Sequence, residues 1–208
     1  MSPAETVAVP APKYPPPPPR RVAVVDVMID LETLGTTPGS VVLSIGAVAR
    51  GSSLSTNVAD RFYARLNLRD SIYRGLKISS DTMSWWRKQT EEAWQESTSA
   101  VTPLRESLLA FAGWLLELRA GSAEAATGNK LRLWGDSASF DLGLLAAVFR
   151  AADVTVPWSY QEEFCYRTLR AIRGSEKPRA KLQHDALSDA AAQLEHLVLL
   201  LDETEVVR

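Results

Sequence analysis

Cysteine is almost absent from this sequence, in which Cys165 is the only one. No intramolecular disulfide can form, and nothing points to an oxidising compartment. No apolar run reaches the roughly 18 residues that a membrane-spanning helix requires. The N-terminus also lacks the apolar core of a secretion signal. These absences argue against a membrane-spanning or disulfide-rich secreted protein, and they predict a cytoplasmic one.

The sequence also lacks a strong excess of charge of either sign. It has 23 Lys and Arg against 25 Asp and Glu, a formal net charge of −2. A strongly basic chain would have pointed to nucleic acid directly. A near-neutral chain neither indicates nor excludes it, because basic residues can cluster beside an acidic site. With 46% apolar residues, the 208 residues suffice for one globular domain with a sizeable core.

The first 20 residues differ in composition from the rest. They are rich in Pro and Ala and include five consecutive prolines at positions 15–19. A segment of this kind cannot bury a core, so residues 1–20 are predicted to be a disordered tail. A Pro-rich tail could dock to an SH3-like partner, although a disordered leader is the simpler interpretation. Residues 21–208 are predicted to form the folded domain.

Alternating apolar residues predict that the fold begins with three strands. The first covers residues 22–32. A turn signal at residues 35–39 follows, and residues 41–48 return as an antiparallel neighbour. Residues 61–68 alternate well enough for a third strand.

Helical periodicity dominates the rest of the chain. Four helices are predicted, over residues 81–98, 103–119, 140–152 and 185–201. A short strand is predicted over residues 130–134, and residues 160–173 stay open between strand and helix. This order fits an α/β fold with a mixed sheet flanked by helices.

Asp30 and Glu32 are the most informative residues of the first strand. Side chains two apart in a strand share a face. Two carboxylates on one face of an apolar strand repel each other and lose hydration, so such a pair needs a cation or keeps one acid protonated. Taken alone, the pair would more often be a strand end that meets solvent.

Three residues further along the chain can complete a cation site. Asp141 lies in the first turn of its helix if Ser139 caps that helix, and free N–H groups favour an ionised carboxylate there. Asp189 lies near the start of the final helix, and His184 precedes it by five residues. Singly, each would more often be a capping or solvated side chain. Together, four carboxylates can hold two divalent cations, and oxygen ligands favour Mg²⁺ or Mn²⁺ over Zn²⁺.

Taken in order, Asp30-Leu-Glu32, Phe140-Asp141 and His184-xxxx-Asp189 resemble the motifs of the DEDDh 3′→5′ exonucleases. The resemblance narrows to one branch of this superfamily. The segments that carry the narrower likeness are 28–36, 42–48, 81–86, 165–168 and 184–189. That branch contains bacteriophage exonucleases and the ribonuclease H-like domain of exonuclease VIII. The likeness covers roughly residues 25–200 and implies a ribonuclease H-like fold, with a mixed five-stranded sheet whose first three strands are antiparallel.

The resemblance also implies a role for each matching residue. Asp30, Glu32 and Asp189 would bind one Mg²⁺ or Mn²⁺, with Asp30 bridging to a second cation that Asp141 helps to hold. His184 would be the general base. The enzyme would release nucleoside 5′-monophosphates from 3′ ends of single-stranded nucleic acid, with the choice of DNA or RNA left open. Relatives are often dimers, so the resemblance also suggests a homodimer.

Candidate substrate contacts are Trp85, Arg167 and Lys181. Bases stack on exposed aromatic rings, but neighbouring helix residues point about 100° apart, so at most one of Trp85 and Trp86 faces a cleft. Arg167 could contact a phosphate or form a surface ion pair. Lys181 belongs to a basic loop that could guide a phosphate backbone or simply be solvated.

Two other functions stay open at this point. The first is a nucleic-acid-binding module with the same fold that does not cleave. The second is a two-metal nuclease that cuts internally, which circular substrates distinguish from an exonuclease.

Overall fold

The computed structural model describes residues 23–51, 60–120, 128–178 and 185–202. The predicted Pro-rich tail (residues 1–20) lies outside these ranges, as do His184 and Lys181. The division into a tail and one domain therefore stays a prediction.

A mixed five-stranded sheet forms the centre of the described fold, as predicted. Its strands, in the spatial order β3-β2-β1-β4-β5, are β1 (Ala23–Thr33), β2 (Val42–Gly51), β3 (Asp60–Arg65), β4 (Asn129–Gly135) and β5 (Glu163–Cys165). The first three strands are antiparallel in succession, whereas β1 pairs with β4, and β4 with β5, in parallel. The first strand is therefore central and bonded on both edges.

Seven α-helices lie among the described residues. They are α1 (Leu68–Tyr73), α2 (Ser80–Trp86), α3 (Glu91–Thr98), α4 (Leu104–Ala120), α5 (Ala138–Ala151), α6 (Tyr166–Ile172) and α7 (Ala186–Asp202). The short helix α1 was not predicted. Residues 160–173 form a 3₁₀ turn (Tyr160–Glu162), then β5, then α6, which settles the open choice between strand and helix.

The helix predicted over residues 81–98 is in fact two helices. The backbone N–H groups of Lys88 and Gln89 bond three residues back, to the carbonyls of Trp85 and Trp86, which tightens and ends α2. A new helix then starts after Thr90, whose carbonyl accepts the N–H of Trp94. Apolar periodicity alone did not reveal this break.

The sheet separates two apolar layers. The face of β1 that carries Val25, Val27, Ile29 and Leu31 packs with α4 and α5, whereas Met28 packs with α6 and α7 on the other face. Burial of each Leu or Ile side chain contributes roughly 1.5–3 kcal/mol. Because residues two apart share a face, Asp30 and Glu32 lie on the α7 side of the sheet. Within the described ranges, no helix has the length and apolar content needed to span a membrane.

Candidate functional site

The carboxyl end of β1 is held by two neighbouring elements. Asp30 and Glu32 pair with Gly46 and Ser44 of β2, and the register shifts immediately after Glu32. Such a bulge bends a strand and redirects the neighbouring side chains. The indole Nε1 of Trp86 donates to the carbonyl of Thr33 at 2.9 Å. The strand end that carries both acids is therefore fixed by β2 and α2 together.

Gly46 allows the start of α7 to approach the sheet closely. A Cβ atom at this position would lie 2.1 Å from the carbonyl carbon of Ala186 and 2.3 Å from the amide nitrogen of Leu187. Gly46 is the partner of Asp30 across the ladder, so its missing side chain would have pointed to the same face. Asp185 caps the helix by accepting the N–H of Ser188 at 2.7 Å. The close approach of α7 to Gly46 brings Asp189 over β1.

The result is a group of three carboxylates from Asp30, Glu32 and Asp189. One oxygen of each lies within 4.8 Å of one oxygen of the others. Glu32 is buried, with 8% of its surface exposed, whereas Asp30 and Asp189 are partly exposed. Residues that are more than 150 positions apart in sequence therefore share one acidic site.

Asp141 lies beside this group and is not part of it. Its side chain packs where a Cβ atom of Gly135 would be, 2.7 Å away, at the end of β4. Its Oδ2 accepts the N–H of Ser137 at 3.1 Å. The prediction that Ser139 caps α5 was wrong: the carbonyl of Ser137 accepts the N–H groups of Phe140 and Asp141, so the helix begins two residues earlier than expected. Asp141 still lies in the first turn, as predicted.

Burial and mutual repulsion raise the pKa values of three of these acids. Loss of hydration is the main cause in each case. It raises the pKa of Asp30 to about 7, although the Gln193 hydrogen bond opposes the shift. Loss of hydration, together with repulsion from Asp30, raises the pKa of Glu32 to about 8 and that of Asp141 to about 8. Near neutral pH, the metal-free site therefore retains many of its protons, and complete ionisation of these acids needs a compensating positive charge.

Two basic side chains compensate Asp136, a further acid whose charge acts on Asp30 and Asp141. Arg170 contacts one oxygen of Asp136 at 2.7 Å, and Lys177 contacts the other at 3.6 Å. The positive charge of Lys177 also acts on Asp30, Glu32 and Asp141. It partly opposes the rise in their pKa values. Asp136 is thus ion-paired.

Two candidate substrate residues lie at described positions. Arg167 is exposed, and its Nη2 donates to the Ser137 hydroxyl at 3.3 Å, at the start of α5 and near Asp141. Trp85 is 39% exposed, whereas Trp86 is 2% exposed. The two rings pack edge to face, with 5.2 Å between their centroids. Only Trp85 of the two is therefore exposed, and the expectation that it faces a cleft stays a prediction. The other candidate, Lys181, falls outside the described residues, as does His184.

Sequence analysis missed Gln193, Gly46 and Gly135. The Gln193 side chain donates to Asp30 Oδ1 at 2.7 Å. Its position four residues after Asp189 places both side chains on one face of α7, a spacing that could have pointed to it. An isolated glycine inside a strand often marks a close backbone approach, which was the available signal for Gly46.

The chemistry of these donors fits a hard divalent cation. Carboxylate oxygens are the ligands that Mg²⁺ and Mn²⁺ prefer. Asp30, Glu32 and Asp189 together offer three of them within reach of one ion. A bound dication would reverse the raised pKa values of Asp30 and Glu32, because nearby positive charge favours the ionised form.

Known proteins that are similar to this chain are nucleases. A family model described as the 3′-5′ exoribonuclease Rv2179c-like domain matches residues 25–201. The nuclease domain of 3′hExo, a DEDDh family member solved bound to rAMP, aligns with a TM-score of 0.51 and 13% identity, over 86% of this chain and 92% of that one. Cell-death related nuclease 4 aligns with a TM-score of 0.51 and 11% identity, over 85% and 64% of the two chains. No curated protein sequence matches the chain.

The raised pKa values predict a pH-dependent stability in the metal-free protein. The unfolded chain releases the protons of Asp30, Glu32 and Asp141 near pH 4, whereas the folded protein keeps them up to about pH 7 to 8. The free energy of unfolding should therefore fall as pH rises from 4 to 8, because unfolding releases protons that the folded protein still holds. Urea unfolding in EDTA measures it. A flat profile, or no stabilisation by Mn²⁺ at pH 8, would contradict the prediction.

Substitution of Gly46 by Ala should damage the site through the backbone. The new methyl group meets backbone atoms of α7, so the helix must move away, at a cost of roughly 1–3 kcal/mol. Weaker Mn²⁺ binding should accompany the lower stability. Gly113→Ala is the matched control, because its Cβ would meet nothing within 4 Å in α4. Urea unfolding and Mn²⁺ titration of both variants provide the test; a stable Gly46→Ala protein with intact Mn²⁺ affinity would refute it.

Proposed function

The chain belongs to the family of Rv2179c-like 3′-5′ exoribonuclease domains, and we propose that it removes nucleoside 5′-monophosphates from 3′ ends of single-stranded RNA by a two-metal mechanism. It is a 3′-5′ exonuclease of the DEDDh type with a ribonuclease H-like fold. The observation that carries the mechanistic part is the meeting of Asp30, Glu32 and Asp189 within 4.8 Å.

The site residues divide the work of hydrolysis. Asp30, Glu32 and Asp189 would hold one divalent cation, and Asp141 together with Asp30 would hold a second. Bound cations would supply an activated water and stabilise the developing charge on the leaving oxygen. Hydrolysis adds water across the bond between phosphorus and the 3′ oxygen, which frees a 5′-monophosphate and leaves a new 3′ hydroxyl.

Residues around this group would handle the proton and the substrate. His184, which precedes Asp189 by five residues, is proposed to take the proton from the attacking water, because an imidazole titrates near neutral pH. Arg167, which lies on α6 and contacts Ser137 at the start of α5, is proposed to bind a substrate phosphate. The exposed ring of Trp85 is proposed to stack on a base. Lys181 would add positive charge along the backbone path.

The preference for RNA rests on the family and on one structural neighbour. The family is described as exoribonucleases, and the 3′hExo domain was solved with rAMP. The likeness to bacteriophage exonucleases and exonuclease VIII is narrower than the family match and stays a prediction. A homodimer also stays a prediction.

Substitution of Asp30 by Asn should abolish hydrolysis without unfolding the protein. The loss should exceed about 10³-fold, because several kcal/mol of charge stabilisation in the transition state disappear. In EDTA at pH 8 the variant should be at least as stable as the wild type, since one repelling charge is gone. The measurements are release of nucleotides from a labelled oligonucleotide with Mg²⁺, and urea unfolding.

Asp26→Asn is the matched control. Asp26 lies on the same strand and face, but its carboxylate pairs with Arg132 and Trp134. This variant should lose stability and keep its activity. Wild-type activity in Asp30→Asn would disprove the proposed site.

Linear and circular substrates should separate end-directed from internal cleavage. A time course on 3′-labelled, 5′-labelled and circular single-stranded RNA and DNA should show mononucleotide release from the 3′ end and no loss of circles. Linear RNA should be degraded faster than DNA of the same sequence. Cleavage of circles would show internal cutting, binding of RNA without hydrolysis in Mn²⁺ would show a non-catalytic module, and faster loss of DNA would overturn the RNA assignment.

A further inference from the structure

Gln193 is a buried amide at the edge of the acidic site. It lies on α7, one helical turn after Asp189, so both side chains project toward β1. Only 1% of its surface is exposed. Its neighbours on the same buried stripe of the helix are apolar, namely Ala190, Leu194 and Leu197.

The amide makes one strong contact. Nε2 of Gln193 donates to Oδ1 of Asp30 at 2.7 Å. This bond occupies one oxygen of the carboxylate and selects one side-chain orientation, so that the other oxygen stays available. The donor is neutral, and it therefore holds Asp30 without cancelling the charge that attracts a cation. A Lys or Arg at this position would compete with a metal ion for the same carboxylate.

The fold alone does not favour an amide at this position. Oε1 of Gln193 is buried and has no hydrogen-bond partner among the described residues, and an unmatched buried acceptor lowers stability. A Met side chain of similar length would extend the apolar stripe without a buried amide oxygen, but it would remove the hydrogen bond to Asp30. The contact with Asp30 is what an apolar side chain could not provide.

We propose that Gln193 is a positioning residue that holds Asp30 for cation binding. The inference rests on the proposed function, because it assumes that Asp30 is a metal ligand. Groups that orient metal ligands in this way typically change metal affinity or activity by roughly 10–100-fold when they are removed. Loss of the amide should therefore weaken Mn²⁺ binding while leaving the metal-free fold intact.

The experiment compares wild type with Gln193→Met, using the full chain. The apparent Mn²⁺ dissociation constant is measured by calorimetry and by the metal-dependent rise in melting temperature, and kcat is measured across Mg²⁺ concentrations. Gln193→Met should be at least as stable as wild type in EDTA, bind Mn²⁺ roughly 10–100-fold more weakly, and recover most of its kcat at saturating Mg²⁺. Gln95→Met is the control, because Gln95 is exposed and its amide contacts Glu91 on α3.

A double-mutant cycle tests whether the effect passes through Asp30. Once Asp30 is Asn, the further change Gln193→Met should alter Mn²⁺ binding no further. If Gln193→Met does not fold, Gln193→Asn, which is one methylene shorter, takes its place in the same measurements. If neither variant folds, the residue is purely structural and the proposal is wrong.

The outcomes also separate this inference from the function on which it rests. If wild-type protein binds Mn²⁺ and Gln193→Met binds it equally well, only the role of Gln193 fails. If wild-type protein shows no Mn²⁺ binding, the metal site itself fails, and the positioning role fails with it.

Discussion

Mutual repulsion among buried carboxylates is the constraint on which the rest of this structure depends. Asp30 and Glu32 share one face of the central strand, and α7 adds Asp189 to them. Each of these side chains has lost part of its hydration, and their charges act on one another over a few ångströms. A fold holds such a group together only if packing elsewhere is strong enough to force it, or if cations relieve the repulsion.

Packing on both faces of the sheet provides that force. The helices α4 and α5 cover one face of β1, and α6 and α7 cover the other, so the strand that carries the acids cannot leave its place. Two glycines allow this packing to bring the acids close to the sheet. Gly46 lets the backbone of α7 press against β2, and Gly135 leaves the space that Asp141 fills. Because Gly46 and Gly135 lack side chains, Asp189 and Asp141 can take up these positions.

The same acidic residues affect stability and function in opposite ways. An acidic group with pKa values near 7 to 8 destabilises the metal-free protein at neutral pH, and it is the same group that suits a divalent cation. Nearby charges are arranged differently: Asp136 is already paired with Arg170 and Lys177. Among the described residues, Asp30, Glu32 and Asp141 form no ion pair of this kind, which leaves them as the acids that a bound cation would compensate.

The sequence by itself determined the strands, the principal helices and the identity of the acids, because strand and helix periodicity and short motifs are local properties of the chain. Only the tertiary structure decided the rest. It showed that Ser137 begins α5, that residues 81–98 break into two helices, and that Asp141 lies beside the acidic group. It also revealed Gln193 as the partner of Asp30. The start of α5 and the helix break rest on local hydrogen bonds that apolar periodicity does not resolve. The positions of Asp141 and Gln193 depend on contacts between segments distant in sequence, and chain periodicity carries no information about what packs against a given position.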